Sequence, residues 1–275
     1  MIGLGLKMGG GVVATSGAAQ NKANRGAAPY SNGHSVFVDG TETIKLLNQS
    51  QINTLIRGSF TWAFWYRDTS ISTGDLGGFM LSNAPAQAVR IRPVPVAPGV
   101  QFLQSIVQFN GVSTSATDSI GTALSNNTWH HVAMVVTKGA GGANPGNVKV
   151  YIDGSQVSNF TGPVTTNQEA ANVQADTTWG VGATIADNGG GTLFVSAYFD
   201  EVAFWNAALP ADDIGTIYNS GNGTSDLTSD FGSYNSSSSL QYYFRFENDY
   251  TDTKGNASNA TTEGSPVFST SPTPP

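Results

Sequence analysis

Short runs in which apolar and polar positions alternate recur along this chain, and the clearest pair lies within residues 129–157. Val132, Met134 and Val136 interleave with His131, Ala133 and Val135, while Val148, Val150 and Ile152 interleave with Lys149 and Tyr151. A period of two sends successive side chains to opposite faces of an extended backbone, so the pattern predicts two antiparallel strands joined by a glycine-rich loop. Asp153-Gly154 follows the second strand and precedes Val157. Such a pair adopts positive φ cheaply and makes a two-residue turn whose twist suits a hairpin.

A second pattern begins at residues 199–205, an apolar run that reads as a strand, and changes to a helical period over residues 208–221. Pro210 suits a first helical position, and Asp212 and Asp213 sit favourably near the positive end of the helix dipole. Ile214, Ile217 and Tyr218 form one apolar stripe, expected to pack on the edge of a sheet. Gly221 supplies a left-handed residue to end the helix. No other segment reads as strongly helical.

These phrases, WHHVA, VYIDG and DEVAFWNAALPADDI followed by IYNSG, resemble in their order the concanavalin A-like, laminin G-like jelly-roll family. Residues 35–40 (SVFVDG) resemble its first core strand, 59–67 (SFTWAFWYR) its aromatic second strand, and 240–252 (LQYYFRFENDYTD) the strand that closes the sheet. The resemblance covers about residues 30 to 262. It implies an all-β fold, a two-sheet antiparallel jelly-roll sandwich with one short helix near 210–220. The family includes lectins, adhesion modules, glycosidases and structural domains, so it implies architecture more narrowly than activity.

Composition adds a setting. With 275 residues, 33 Gly, 12 Pro and 11% charged residues, the chain reads as strands joined by many polar turns. A chain of this length is expected to form one jelly-roll domain, residues 30–265, between a glycine-rich arm (1–29) and a Pro/Ser/Thr tail (266–275). The absence of cysteine removes disulfides, thiolate metal sites and cysteine nucleophiles. A net charge of −7 argues against nucleic acid, since phosphate tracking needs clustered cations and only Arg90, Arg92 and Arg67 come near to one another. Residues 1–13 carry Lys7 within their apolar run and are too short to span a bilayer, so neither membrane insertion nor an export signal is expected. Asn-x-Ser/Thr triplets such as Asn48, Asn126 and Asn159 are read as chance products of a composition rich in these residues.

The polar connection 219–239 and the residues that follow it resemble laminin G-like modules in structural proteins of tailed bacteriophages. That resemblance implies a non-enzymatic virion protein, a capsid decoration or appendage subunit at the virion surface, assembled in the host cytoplasm. Its partners would be other virion proteins and host-surface polysaccharide, with a homo-oligomer as one arrangement. Ile2, Leu4 and Leu6 would fill shallow pockets on a partner, the neighbouring glycines permitting close approach. A carbohydrate-binding adhesin outside a virion and a glycoside hydrolase are the alternatives.

Candidate chemistry is sparse. A glycosidase needs two carboxylates flanking the bond it cleaves, about 5 to 9.5 Å apart. Glu247, Asp249 and Asp252 come nearest to the family's Glu-x-Asp-x-x-Glu motif, but they lead into turn residues and are expected at a strand end in solvent. Asp200 and Glu201, adjacent on a strand, are expected on opposite faces. His130 and His131 would also point apart and so cannot share one metal ion; packed histidines are expected. Calcium is the ion the resemblance implies, with Asp75, Asp187 and Asn188 as its oxygen ligands in loops. For sugar binding, Trp62, Phe64 and Tyr66 share a strand face, as do Tyr242, Phe244 and Phe246, and both sets read as core. Trp179, flanked by polar residues, and Tyr198 are the surface aromatics expected to stack on a sugar ring.

Overall fold

The computed structural model describes residues 32–69, 74–81, 87–97, 100–109, 112–117, 124–139, 146–161, 177–185, 191–222 and 225–271. The arm residues Ile2, Leu4 and Leu6 lie outside the described residues, as do Asp187 and Asn188. In chain order the strands begin with β1 (Ser35–Asp39), β2 (Thr43–Leu47), β3 (Phe60–Asp68), β4 (Gly77–Leu81), β5 (Gln87–Ala97) and β6 (Val100–Phe109). Next come β7 (Val112–Thr117), β8 (His130–Thr137), β9 (Asn147–Ile152), β10 (Ser155–Thr161), β11 (Trp179–Val181) and β12 (Thr184–Ile185). The last are β13 (Gly191–Thr192), β14 (Ser196–Trp205), β15 (Leu240–Phe244), β16 (Thr261–Glu263) and β17 (Val267–Ser269).

They form two sheets. The first has the order β10-β9-β8-β3-β14-β1-β17, with β15 also pairing β14; the second runs β16-β2-β11-β4-β5-β6-β7, with β12 and β13 on its margin. Among the described residues the pairings are antiparallel except that of β12 with β4. The hairpin expected at Asp153-Gly154 is present, with Ile152 opposite Ser155 and φ of 50° and 74° at the two turn residues. Strand β17 falls within the segment read as a tail; Phe268 holds it by packing 4.7 Å from the ring of Tyr250.

Among the described residues two α-helices accompany the sheets, α1 (Gln49–Ile56) and α2 (Ala211–Tyr218). The first was not expected, although its signals are local. Asn48 caps it by accepting from the Gln51 amide at 3.1 Å, and Gln51 returns the favour to the Asn48 amide at 2.8 Å. Ile52, Leu55 and Ile56 then bury one face. In α2, Pro210 is the cap and Asn219, at φ 49°, is the left-handed residue that ends the helix two positions before Gly221. Among the described residues no helix is long and apolar enough to cross a membrane.

Helix α2 does not pack on a sheet edge; it lies on the outer face of the first sheet. Ala203, Ala63 and Ala133 stand opposite one another on β14, β3 and β8, with Tyr151 next in register on β9. Their short side chains leave room for Ile214 and Ile217, which share a buried cluster with these alanines, Trp205 and Tyr243.

Between the sheets the core is aromatic. Trp179 on β11 is 0% exposed, not the surface residue its polar neighbours suggested. β11 lies between β2 and β4, and its Trp ring reaches Trp62 at 5.1 Å, Phe204 at 5.2 Å and Phe60 at 6.0 Å on the opposite sheet. Edge-to-face packing of this kind adds to the burial energy of the rings.

On the outer face, the His131 ring lies 5.2 Å from Trp65 and 6.4 Å from Tyr218 and is 1% exposed. Burial holds its pKa down to about 4, against the opposing pull of Asp153. Between that value and the ordinary 6.5 the unfolded chain binds a proton that the folded one does not, so stability is full above pH 6.5 and is lost as pH falls toward 4.

Two measurements check this packing. Trp179→Ala is expected to cost about 3–5 kcal/mol in denaturant unfolding; a change within about 0.5 kcal/mol would place the ring outside the core. Between pH 7 and pH 4 the wild type should lose about 3 kcal/mol more stability than His131→Gln. Parallel losses in the two proteins would rule out His131 as the titrating group.

Candidate functional site

The pairing registers that build the first sheet also align side chains across its outer face. Phe37 on β1 stands opposite Val267 on β17 and Tyr198 on β14, and Tyr198 stands opposite Arg67 on β3. Trp129 precedes His130, the partner of Tyr66, and so continues the row beyond Arg67. Val267, Phe37, Tyr198, Arg67 and Trp129 therefore form one line, roughly 19 Å long at about 4.8 Å per strand. Phe37, Tyr198, Arg67 and Trp129 are half-buried, and Val267 is 58% exposed.

The row is held together by ring contacts. Tyr198 lies 4.7 Å from Phe37 and 6.3 Å from Trp129, and the Arg67 guanidinium sits 5.8 Å from the Tyr198 ring centre. Arg67 Nε donates to the Asn127 carbonyl at 2.8 Å, while the Asn127 amide donates to the Asp68 carbonyl at 2.9 Å. One step along the strands is a polar row. Asp39 pairs with Ser196, whose hydroxyl lies 2.9 Å from that of Thr69, and Asp39 accepts from the Thr41 amide and hydroxyl at 3.0 and 2.7 Å. An apolar shelf beside hydroxyls and a carboxylate is suited to a ligand with one apolar face and a hydroxylated rim.

The structure thus keeps one of the two expected sugar-stacking aromatics, Tyr198, at the surface and withdraws Trp179. The sequence reading missed Phe37, Arg67, Trp129 and Val267, because only strand register brings positions so distant in the chain onto one line.

A turn at residues 124–129 positions Trp129 and Asn127. His130 Nδ1 donates to Asp153 at 2.8 Å, and its Nε2 accepts from the Ser125 amide at 3.3 Å, with the Ser125 hydroxyl 3.5 Å away. These are the side chains of a serine hydrolase relay, yet that chemistry needs Nε2 to take a proton from the hydroxyl. Here the serine's own amide occupies Nε2, and the arrangement anchors the turn. Asp153 accepts also from the His131 amide at 2.9 Å, so one carboxylate ties the hairpin tip to β8. The two histidines are packed side chains, as expected.

The other acids that the sequence singles out meet partners within the protein. Register shifts between Asp200 and Ala203, where Glu201 has φ 50°, and this bulge turns both carboxylates to the outer side in place of the opposite faces a regular strand would give. Asp200 is fully buried and accepts from Asn32 Nδ2 at 2.9 Å; burial, then the neighbouring Glu201, push its pKa well above the usual carboxylate range. Glu201 accepts from the Tyr243 hydroxyl and, at 3.4 Å, from Arg245. Glu247 accepts from the Gly33 amide at 2.9 Å and lies 3.5 Å from His34 Nδ1.

Asp252 is not at a strand end in solvent. It is buried and receives the amides of Tyr243, Lys254, Asn256 and Ala257 at 2.8, 3.1, 2.8 and 2.8 Å. Burial raises its pKa against those hydrogen bonds. Asp249 is exposed and closes its own turn through the Thr251 amide at 2.8 Å. Glu247, Asp249 and Asp252 thus face separate partners and form no carboxylate pair.

Asp75 does not fit the expected calcium site. It is fully buried, accepts from Thr184, and forms an ion pair with Arg90 Nη1 at 3.1 Å, so its charge is already met by a guanidinium. Burial raises its pKa, and Thr184 and Arg90 oppose that rise. Among the described residues no group of three or more histidine, aspartate or glutamate side chains is placed to hold a metal ion.

No curated protein sequence matches the chain. Its fold is similar to that of a protein from Bacteroides ovatus provisionally assigned to carbohydrate binding, with TM-score 0.59 and 16% identity over 90% of this chain and 62% of that one. This chain thus spans less than two thirds of that protein's length. It is also similar to a heptameric SAP-like pentraxin from Limulus polyphemus (TM-score 0.49, 17% identity, 86% of this chain and 87% of that one). A third similar structure is the CBM40 of the Ruminococcus gnavus IT-sialidase bound to α2,3-sialyllactose (TM-score 0.49, 11% identity, 69% and 100%). Residues 39–215, more than half of the chain, match the family described as the concanavalin A-like lectin/glucanases superfamily. With its two antiparallel sheets, the first of which carries the WHHVA, VYIDG and DEVAFW segments, the chain belongs to the concanavalin A-like lectin/glucanase superfamily.

Proposed function

We propose that this protein is a non-enzymatic, lectin-like module that binds carbohydrate on the outer face of its first sheet. The observation that carries the reading is the half-exposed row Phe37–Tyr198–Arg67–Trp129 beside the polar row Asp39–Ser196–Thr69. Aromatic rings accept the C–H face of a sugar, and flanking hydroxyls and carboxylates orient its hydroxyl groups. Against hydrolysis stand the separate engagements of Glu247, Asp249 and Asp252.

The virion setting is part of the same proposal and rests on the resemblance of the polar connection and ending to phage structural modules. In that setting the module projects from the particle surface toward host polysaccharide, and residues 1–13 anchor it to another virion protein.

In a binding assay on immobilised host-surface polysaccharides, saturable binding should fall about tenfold in Tyr198→Ala, in keeping with the loss of one aromatic contact. Glu247→Gln should bind as the wild type does, and unchanged binding in both Tyr198→Ala and Phe37→Ala would sink the platform. Deleting residues 1–13 should abolish incorporation into particles while leaving the thermal transition of the domain in place; normal incorporation would remove the arm from this role.

A further inference from the structure

The outer-face row contains one charged side chain, and its surroundings single it out. Arg67 is half-buried, lies over the Tyr198 ring, and has its Nε fixed by the Asn127 carbonyl at 2.8 Å. Several other half-buried cations meet anions of the protein itself: Arg90 meets Asp75, Arg245 meets Glu201, and Lys45 meets Glu263 at 2.6 Å, while Arg92 donates to the neutral Gln104 side chain. No carboxylate pairs with Arg67 among the described residues, and Asp39, the nearby acid on β1, is engaged by Thr41.

A guanidinium stacked on a ring with Nε already bonded has lost most of its freedom before any ligand arrives, so its two Nη groups bind with little further ordering cost. Their planar geometry matches a carboxylate bidentately, and neighbouring aromatic surface strengthens such a pair by excluding water. We propose that the glycan bound on this row carries a carboxylate, of the uronate or sialate class, which pairs with the Nη groups of Arg67 while the sugar ring rests on Tyr198. The proposal rests on the glycan-binding reading above. Charge alone would work the other way: at −7 the protein repels polyanions in general, so retention of an acidic glycan reports a local contact.

The test compares uronate- and sialate-bearing polysaccharides, each beside its carboxyl-reduced counterpart, for binding to the wild type, Arg67→Gln and Arg67→Lys. The wild type should bind at least one acidic glycan about tenfold or more tightly than its reduced form, the gain typical of a charge-assisted pair. Arg67→Gln should erase that difference while keeping the wild-type thermal transition. Arg67→Lys, which keeps the charge and loses the fork, should fall between. Equal binding of acidic and reduced glycans would overturn the carboxylate and leave the lectin reading standing. A preference that survives in Arg67→Gln would overturn the assignment to Arg67, and binding of neither glycan form would overturn the lectin reading and this inference together.

Discussion

The arrangement of the whole first sheet depends on one bulge in β14. Up to Asp200 the strand alternates with Ala197 and Phe199 inward and Tyr198 outward; past Glu201 the inward positions are Val202 and Phe204, and Ala203 and Trp205 face out. Without the extra residue the period of two would carry Ala203 and Trp205 into the core and turn Phe204 away from Trp62 and Trp179. The bulge therefore lets one strand serve both aromatic interlock and helix seat. Its cost is two adjacent buried acids, one held by Asn32 and the other by Tyr243 and Arg245.

This parity change divides the outer face into two territories. Beyond the bulge the outward residues are small or capped, and α2 covers them, with the Trp205 indole donating to the Tyr234 hydroxyl at 3.0 Å beneath. Before it, coverage ends with Tyr218 over Trp65 and His131, and the next row is left partly open to solvent. The candidate site is thus the part of a large sheet that the protein's own helix does not reach.

Much of this was legible in the residues. Alternation around Val132–Val136 and Val148–Ile152 placed two neighbouring strands, Asp153-Gly154 placed the turn from the second of them into β10, and Ile214 and Ile217 marked the buried side of α2. The period could not show the bulge, because Asp200-Glu201 reads as ordinary alternation until register is known. Trp179 misled for a related reason: it opens a three-residue strand, preceded by Thr177 and Thr178 and continued by Gly180, that has no period to measure, and its burial comes from the strands on either side. Helix α1 was within reach, since Asn48 and Gln51 form a capping box ahead of Ile52, Leu55 and Ile56. Tyr198 could be picked out singly; its companions at positions 37, 67, 129 and 267 could not, being neighbours only through hydrogen-bonded pairing.

That same row draws β1 and β17 together, and the consequence concerns synthesis. Phe37 leaves the ribosome well before Val267, with β3, β8 and β14 emerging in between. The platform's outer margin stays incomplete on a nascent chain until β17 has been translated, and its contacts are among the longest-range in the fold, which places them late and slow in folding. A nascent chain that has not yet reached β17 therefore presents an unfinished row.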